Sequence, residues 1–175
     1  MVSSLPRLTL ILGGARSGKS RFAETLATST PAPWLYIATA EARDEEMRER
    51  IAHHRGRRGA GWTTIEGPHD LAGTLAAPGT DASVILIDCL TLWLSNVMLA
   101  DGDVERQQTR LLAALAAAPR PVIAVSNEVG LGIVPDNALA RAFRDAQGRL
   151  NAAVAEQAEH VMLMAAGLPL TLKAP

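Results

Sequence analysis

The sequence predicts an α/β fold in which a mainly parallel β-sheet is covered by helices on both faces. Short apolar runs alternate with helical patterns along the chain, as they do in proteins built from strand–helix–strand units. A glycine-rich loop follows the first apolar run directly and leads into a helical segment. The last two apolar runs lie close together in sequence, so they predict an antiparallel hairpin at the C-terminal edge of the sheet.

Seven apolar runs are the predicted strands, because buried parallel strands read as short continuous apolar segments. The first run ends at a glycine, the second follows the Pro31-Ala32-Pro33 turn, and the last two are joined around Gly167-Leu168-Pro169. In order, the predicted strands cover residues 8–12, 34–38, 62–65, 84–87, 122–125, 161–164 and 170–172.

Helices are predicted in the intervals between the strands. The segment 43–55 is charged, the segment 68–77 ends at Pro78-Gly79, and the segment 104–118 is rich in alanine and leucine. In order, the predicted helices cover residues 21–27, 43–55, 68–77, 90–100, 104–118 and 137–159. Nothing in the pattern marks a second domain or a repeat, so residues 1–175 are predicted to form one domain.

The composition excludes several classes of protein. A net charge of −1 gives no support for nucleic-acid binding. The only cysteine is Cys89, so neither an intrachain disulfide nor a cysteine zinc cluster can form. The longest apolar run, residues 84–94, is interrupted by Asp88, and the apolar stretch near the N-terminus is too short for a signal-peptide core. We therefore expect no membrane insertion and a cytoplasmic protein.

The most informative motif is Gly-Gly-Ala-Arg-Ser-Gly-Lys-Ser at residues 13–20, which matches G-x-x-x-x-G-K-[ST] and makes the predicted fold P-loop NTPase-like. Its backbone N–H groups and the helix N-terminus suit a polyphosphate. Lys19 would supply charge to the outer phosphates, and Ser20 a hydroxyl to Mg²⁺. The alternative is a glycine-rich turn into an ordinary helix. The predicted phosphate-binding residues are Gly13, Gly14, Ala15, Arg16, Ser17, Gly18, Lys19 and Ser20.

Ligands of open α/β sheets bind at the carboxyl ends of the strands, so polar residues just after strands are candidates. Asp88 follows four apolar residues, as does the carboxylate that holds the nucleotide's Mg²⁺ in such proteins. It could instead cap the next helix. Glu128 follows another strand. Two interpretations fit it: a metal ligand or base, and a loop carboxylate exposed to solvent. Residues 39–41 and Glu66 complete this set.

A histidine pair, His53-His54, lies at the end of the charged helix before Arg55, Arg57 and Arg58. Adjacent helical residues point about 100° apart, so the two imidazoles cannot share one target. Two readings stay open. The segment is an exposed basic helix end, which the helix dipole favours, or one neutral imidazole attacks a phosphate while the arginines hold the triphosphate.

These residues together resemble the bifunctional adenosylcobinamide kinase / adenosylcobinamide-phosphate guanylyltransferase family of cobalamin biosynthesis. The resemblance runs over nearly the whole chain, and the histidine pair and the Asn127–Pro135 segment are its most specific parts. The residues that carry it are 13–20, 36–39, 44–47, 50–54, 127–135, 139–145 and 148–151.

The resemblance implies two reactions. A nucleoside triphosphate phosphorylates adenosylcobinamide, and GTP then gives its guanylyl group to that phosphate through a histidine, here His53. It also implies ATP and GTP as substrates, Mg²⁺ on Ser20 and Asp88, a corrinoid substrate and a homotrimer. Besides residues 13–20, the implied nucleotide contacts are Ala38, Thr39, Ala40, His54, Arg55, Gly56, Arg57, Glu66 and Asp88.

Two departures and two rivals accompany this interpretation. Asp88 stands where the family often has Glu, and Ala152 where it frequently has Gln. One rival is a kinase for another small metabolite without guanylyl transfer. The other is a nucleotide-dependent switch, which the absence of an Asn-Lys-x-Asp motif at residues 126–129 disfavours. The preferred phosphate donor, the number of nucleotide sites, the corrinoid-binding residues and the role of Glu128 stay open from sequence.

Overall fold

The computed structural model describes residues 5–42, 45, 48–49, 52, 56, 58–77 and 81–174. Within these residues the strands are β1 Leu8–Gly13, β2 Trp34–Ala38, β3 Trp62–Glu66, β4 Val84–Asp88, β5 Val122–Asn127, β6 His160–Ala165 and β7 Leu168–Lys173. The helices are α1 Lys19–Ala27, α2 Leu71–Ala76, α3 Leu90–Leu99, α4 Val104–Ala117 and α5 Ala138–Gln157. Among them, no helix has both the length and the apolar character that crossing a membrane requires.

One sheet contains all of these strands, in the order β3-β2-β4-β5-β1-β6-β7. Strands β1 to β6 are parallel, and β7 pairs antiparallel with β6 as the C-terminal hairpin. Gly13 pairs with Asn127, while Ala38 pairs with Glu66 on one side and Asp88 on the other. The predicted mainly parallel sheet with an antiparallel edge is therefore confirmed, and the carboxyl ends of β1 to β5 meet at one edge.

Helices cover both faces of the sheet, as predicted, because alternate residues of each strand point to opposite sides. Ile11 of β1 belongs to the core that includes α1, whereas Leu10 and Leu12 belong to the core beneath the other helices. The α1 core includes Ala23, Ala27, Tyr36, Leu86, Val125 and Met164. The opposite core includes Leu71, Trp93, Leu111, Leu150, Ile87 and Val161.

Several boundaries differ from the predicted ones. Strand β4 includes Asp88 and β5 extends to Asn127, because backbone pairing continues through polar residues at the sheet edge. Helix α2 begins at Leu71 rather than at residue 68, because Asp70 is its N-cap. The Asp70 carboxylate accepts a hydrogen bond from the N–H of Gly73. The predicted helix over 43–55 lies largely outside the described residues. Its described positions, namely Glu45, Arg48, Glu49 and Ala52, are helical.

Buried hydrogen bonds link the segments that follow β2, β3 and β4. Asn96 of α3 donates through Nδ2 to the carbonyls of Thr39 (2.8 Å) and Pro68 (3.1 Å). The Thr39 hydroxyl donates to the carbonyl of Cys89 and accepts from its N–H, each across 2.7 Å. Thr39 is fully buried and Asn96 is nearly so, so these bonds replace water and fix the relative positions of three strand ends.

We expect Asn96→Ala to lower the free energy of unfolding by about 2–4 kcal/mol, because two carbonyl groups lose their donor in or near the core. Urea unfolding of the variant and the wild type measures this difference. Thr109→Ala is the control, since its exposed hydroxyl donates to the Glu105 carbonyl within α4, and should change stability by less than about 0.5 kcal/mol. Equal stability of the two variants would contradict the structural role of Asn96.

Candidate active site

The loop between β1 and α1 has the geometry of a phosphate-binding loop. Strand β1 ends at Gly13, α1 begins at Lys19, and the backbone passes through the left-handed region at Arg16 (φ 55°) and Gly18 (φ 91°). Gly18 is the N-cap and offers no side chain to the first turn of α1. The N–H groups of that turn are therefore not capped by Gly18, and the positive end of the helix suits an anion.

Lys19 and Gly13 fix the shape of this loop. The ammonium of Lys19 donates to the carbonyl of Gly14 across 3.0 Å, so the side chain folds back along the loop. A Cβ at Gly13 would lie 2.5 Å from Ser17 Oγ and 2.8 Å from the carbonyl oxygen of Met164 on β6. The missing side chain at Gly13 thus allows the loop to approach the backbone of the neighbouring strand.

Asp88 lies at the end of β4 and contacts the side chain of Tyr36. The phenol hydroxyl of Tyr36 donates to Asp88 Oδ2 across 3.0 Å, and the guanidinium carbon of Arg58 lies 3.5 Å above the centre of the Tyr36 ring. Burial raises the pKa of the Tyr36 phenol, and the Asp88 charge raises it further. The phenol therefore remains protonated and remains a donor to the carboxylate.

The pKa of the Cys89 thiol depends on the charges around the end of β4. Burial raises the pKa of its thiol to about 11, and the negative charge of Asp88 acts in the same direction. The positive charge of Lys19 acts in the opposite direction. The ammonium of the phosphate loop and the carboxylate that ends β4 therefore both act electrostatically on the same thiol.

Arg58 is one of the arginines considered for triphosphate binding, although it is not among the nucleotide contacts that the resemblance implies, and it lies next to this cluster. Its Nη1 is shielded from solvent and has no acceptor within the described part of the chain. The sequence signal for Arg58 was its place at the end of the His-Arg run, directly before β3. Tyr36 is also absent from the predicted site residues, because its place in an apolar run indicates only a strand residue.

The end of β5 is held beside the phosphate loop. The N–H of Glu128 donates to the carbonyl of Gly13 (3.1 Å), and the N–H of Asn127 donates to Thr91 Oγ1 (2.7 Å). The carbonyl of Asn127 accepts from Asn151 Nδ2 (3.0 Å). Glu128 Oε1 accepts from the N–H of Gly130 (2.6 Å), so this carboxylate helps to shape its own loop.

The structure brings most of the predicted site residues to one edge of the sheet. Residues 13–20 follow β1, residues 38–40 end and follow β2, Glu66 ends β3 and Asp88 ends β4. Gly56 is exposed and helical. His53, His54, Arg55 and Arg57 lie outside the described residues, so their predicted roles stay predictions.

The side chains predicted to hold a metal suit Mg²⁺. In the described ranges, no group of three or more His, Cys, Asp and Glu residues forms a metal cage. Mg²⁺ in nucleotide enzymes commonly takes one or two protein oxygens and completes its shell with phosphate oxygens and water. A Ser20 hydroxyl at the start of α1 and an Asp88 carboxylate at the end of β4 are donors of this kind.

A phosphate loop between a buried parallel strand and a helix, with a carboxylate ending a nearby strand, defines a P-loop nucleotide-binding protein. A type III secretion system ATPase of known structure supports this fold, with a TM-score of 0.50 and 13% identity over 97% of this chain and 59% of that one. That likeness concerns the fold alone.

Residues 9–172 match the family described as cobinamide kinase / cobinamide phosphate guanyltransferase, and the chain belongs to this family. It is 49% identical over 166 residues to the bifunctional adenosylcobalamin biosynthesis protein CobP of Pseudomonas aeruginosa, covering 94% of this chain and 96% of that one. It is 39% identical over 181 residues to the bifunctional protein CobU of Salmonella typhimurium, covering 95% and 99%.

The family resemblance found in the sequence is thereby confirmed. The chain is an enzyme of the bifunctional kinase and guanylyltransferase class of cobalamin biosynthesis. The two rival interpretations, a kinase for another metabolite and a nucleotide-dependent switch, are both disfavoured by a match that covers almost the whole chain.

Two adjacent glycines of the loop should respond differently to the same substitution. Gly13→Ala places a methyl group against the backbone of β6, and we expect it to lower the free energy of unfolding by about 1–3 kcal/mol. Gly14→Ala meets open space and should leave stability unchanged or slightly raised. Urea unfolding without nucleotide measures both variants, and equal stabilities would refute the close approach at Gly13.

Proposed function

We propose that the enzyme phosphorylates adenosylcobinamide with ATP or GTP. It then transfers GMP from GTP to the resulting phosphate through His53, giving adenosyl-GDP-cobinamide. The observation that carries this proposal is the phosphate loop of a chain that belongs to the cobinamide kinase / cobinamide phosphate guanyltransferase family. The corrinoid is the acceptor in both reactions, and the chain acts as a single catalytic domain.

In the kinase step, the phosphate loop binds the triphosphate and neutralises its charge. The backbone N–H groups of residues 13–18 and the ammonium of Lys19 face the phosphates, while the substrate hydroxyl is aligned with the outer phosphorus. Ser20 and Asp88 hold Mg²⁺, which when bound withdraws negative charge from the phosphate oxygens. The loop geometry at Gly18 and the position of Lys19 support this assignment.

In the guanylyl step, an imidazole nitrogen of His53 attacks the α-phosphorus of GTP. A P–N bond forms, the P–O bond to pyrophosphate breaks, and pyrophosphate leaves. An oxygen of adenosylcobinamide phosphate then attacks the same phosphorus and breaks the P–N bond, which frees His53. The proposed nucleotide contacts are those that the sequence resemblance implies: Ala38, Thr39, Ala40, His54, Arg55, Gly56, Arg57, Glu66 and Asp88.

A homotrimer and a cytoplasmic location belong to the same proposal. Exposed aliphatic side chains support contacts between subunits, because such side chains gain from being covered. Leu131 and Ile133, in the loop that follows β5, are 85% and 97% exposed. Leu168, Leu170 and Leu172 on the edge strand β7 are exposed as well.

We expect GTP labelled at the α-phosphate to leave an acid-labile label on the protein, because phosphoramidates hydrolyse in acid. His53→Asn should abolish both the label and guanylyl transfer while the kinase reaction continues. His160→Asn is the matched control, since His160 begins β6 at the opposite end of the strands from the phosphate loop, and it should label like the wild type. Label retained in His53→Asn would refute the nucleophile assignment.

The two lysines of the chain provide a matched test of the phosphate loop. Lys19→Ala should lower kinase turnover by about 100-fold or more, since it removes the charge that stabilises the transferred phosphoryl group. Lys173→Ala should leave turnover unchanged, because this ammonium bonds to the carbonyls of Ala155 and Glu156, away from the phosphate loop. Steady-state assays with adenosylcobinamide measure both, and undiminished turnover of Lys19→Ala would reject the assignment.

A further inference from the structure

Tyr36 and Asp88 project from the same face of the sheet. Strands β2 and β4 are paired so that Tyr36 lies opposite Leu86 and Ala38 lies opposite Asp88. Two residues along a strand return to the same face, so the two side chains are diagonal neighbours on the side that α1 covers. The phenol hydroxyl reaches Asp88 Oδ2 across 3.0 Å.

Three restraints fix the position of the Tyr36 hydroxyl. The side chain is only 5% exposed, on a strand in the interior of the sheet. Its ring meets Trp62 edge to face, with ring centres 6.1 Å apart and planes at 77°. The guanidinium of Arg58 covers the ring, with its carbon 3.5 Å from the ring centre. The donor is therefore held rigidly relative to the strands.

Within the described residues, the Asp88 carboxylate is hydrogen-bonded to a side chain through one oxygen only. Oδ2 accepts from the phenol, which leaves Oδ1 for other ligands. A partly buried aspartate at a strand end otherwise samples several rotamers, and restricting them lowers the entropy lost when a ligand binds. A fixed outer partner of this kind is known to raise the affinity of metal-binding side chains.

We propose that Tyr36 is a positioning residue, which fixes the Asp88 carboxylate in the orientation that binds the divalent cation of the nucleotide. This inference rests on the proposed role of Asp88 in holding Mg²⁺. It differs from a purely structural role of the pair, which would affect stability but not metal affinity.

The test is a double-mutant cycle with Tyr36→Phe, Asp88→Asn and the double variant. Tyr36→Phe retains the ring that contacts Trp62 and Arg58 and removes only the hydroxyl. The readouts are the affinity for Mn²⁺, measured by electron paramagnetic resonance with a non-hydrolysable GTP analogue bound, and the affinity for that analogue in EDTA. We expect Tyr36→Phe to weaken Mn²⁺ binding by about 10-fold, to leave nucleotide affinity in EDTA unchanged, and to add nothing in the Asp88→Asn background.

The possible outcomes separate the inference from the proposed function. If Asp88→Asn weakens Mn²⁺ binding and Tyr36→Phe does not, the positioning role is wrong and the Asp88 metal role stands. If neither variant changes Mn²⁺ affinity, the Asp88 metal role fails, and the inference fails with it. A parallel loss of nucleotide affinity in EDTA for Tyr36→Phe would indicate a general disturbance of the site and overturn the positioning role.

A second readout does not depend on a substitution at Tyr36. Tyr36 is the only tyrosine of the chain, so tyrosine labelled with ¹³C at Cζ gives one resonance for this side chain. We expect that resonance to shift when Mg²⁺ is added to the nucleotide-bound protein, because a cation on Asp88 draws electron density away from the hydrogen bond. The shift should disappear in Asp88→Asn. An unchanged resonance in the wild type would overturn the inference.

Discussion

The register of the parallel strands is the constraint on which the whole site depends. Gly13 pairs with Asn127, and Ala38 pairs with Asp88, so the ends of β1, β5, β2 and β4 are aligned at one edge. Because side chains alternate between faces, a slip of one residue in β4 would turn Asp88 away from α1 and from Tyr36. The apolar residues on both faces of these strands fix that register, since a slip would also exchange the two cores.

Buried polar side chains of α5 and β5 form hydrogen bonds that hold the carboxyl ends of the strands in place. In α5, Gln147 Nε2 donates to Ser126 Oγ and to Asn151 Oδ1, each across 2.9 Å, and Ser126 Oγ donates to Asn151 Oδ1 across 2.7 Å. All three residues are buried, as is Asn96 of α3. Three hydrogen bonds join these side chains, although Gln147 Oε1 has no partner in the described part of the chain. Buried polar side chains that bond to one another resist rearrangement, which explains why helices that are otherwise apolar on this side carry amides.

The sequence predicted the fold closely because each strand is a short apolar run, and the phosphate loop follows from its pattern. It did not reveal the contact between Tyr36 and Asp88. Strand β2 pairs with β4 although β3 intervenes along the chain, and chain order carries no information about that pairing. The predicted ends of β4 and β5 lie too early in the sequence. Hydrogen bonding between the strands continues through Asp88 and Asn127, because it does not require apolar side chains.

The charged groups around Tyr36 are held by neutral partners. Within the described residues, Asp88 accepts from a phenol hydroxyl, and the guanidinium of Arg58 lies on an aromatic face. Neither side chain forms an ion pair within the described part of the chain. A carboxylate paired with a cation would have to lose that partner before it could bind a metal, and an arginine paired with a carboxylate would face the same cost before it met a phosphate. An aromatic ring and its hydroxyl orient both charges without neutralising either, which supports the proposed binding of the nucleotide's cation at Asp88.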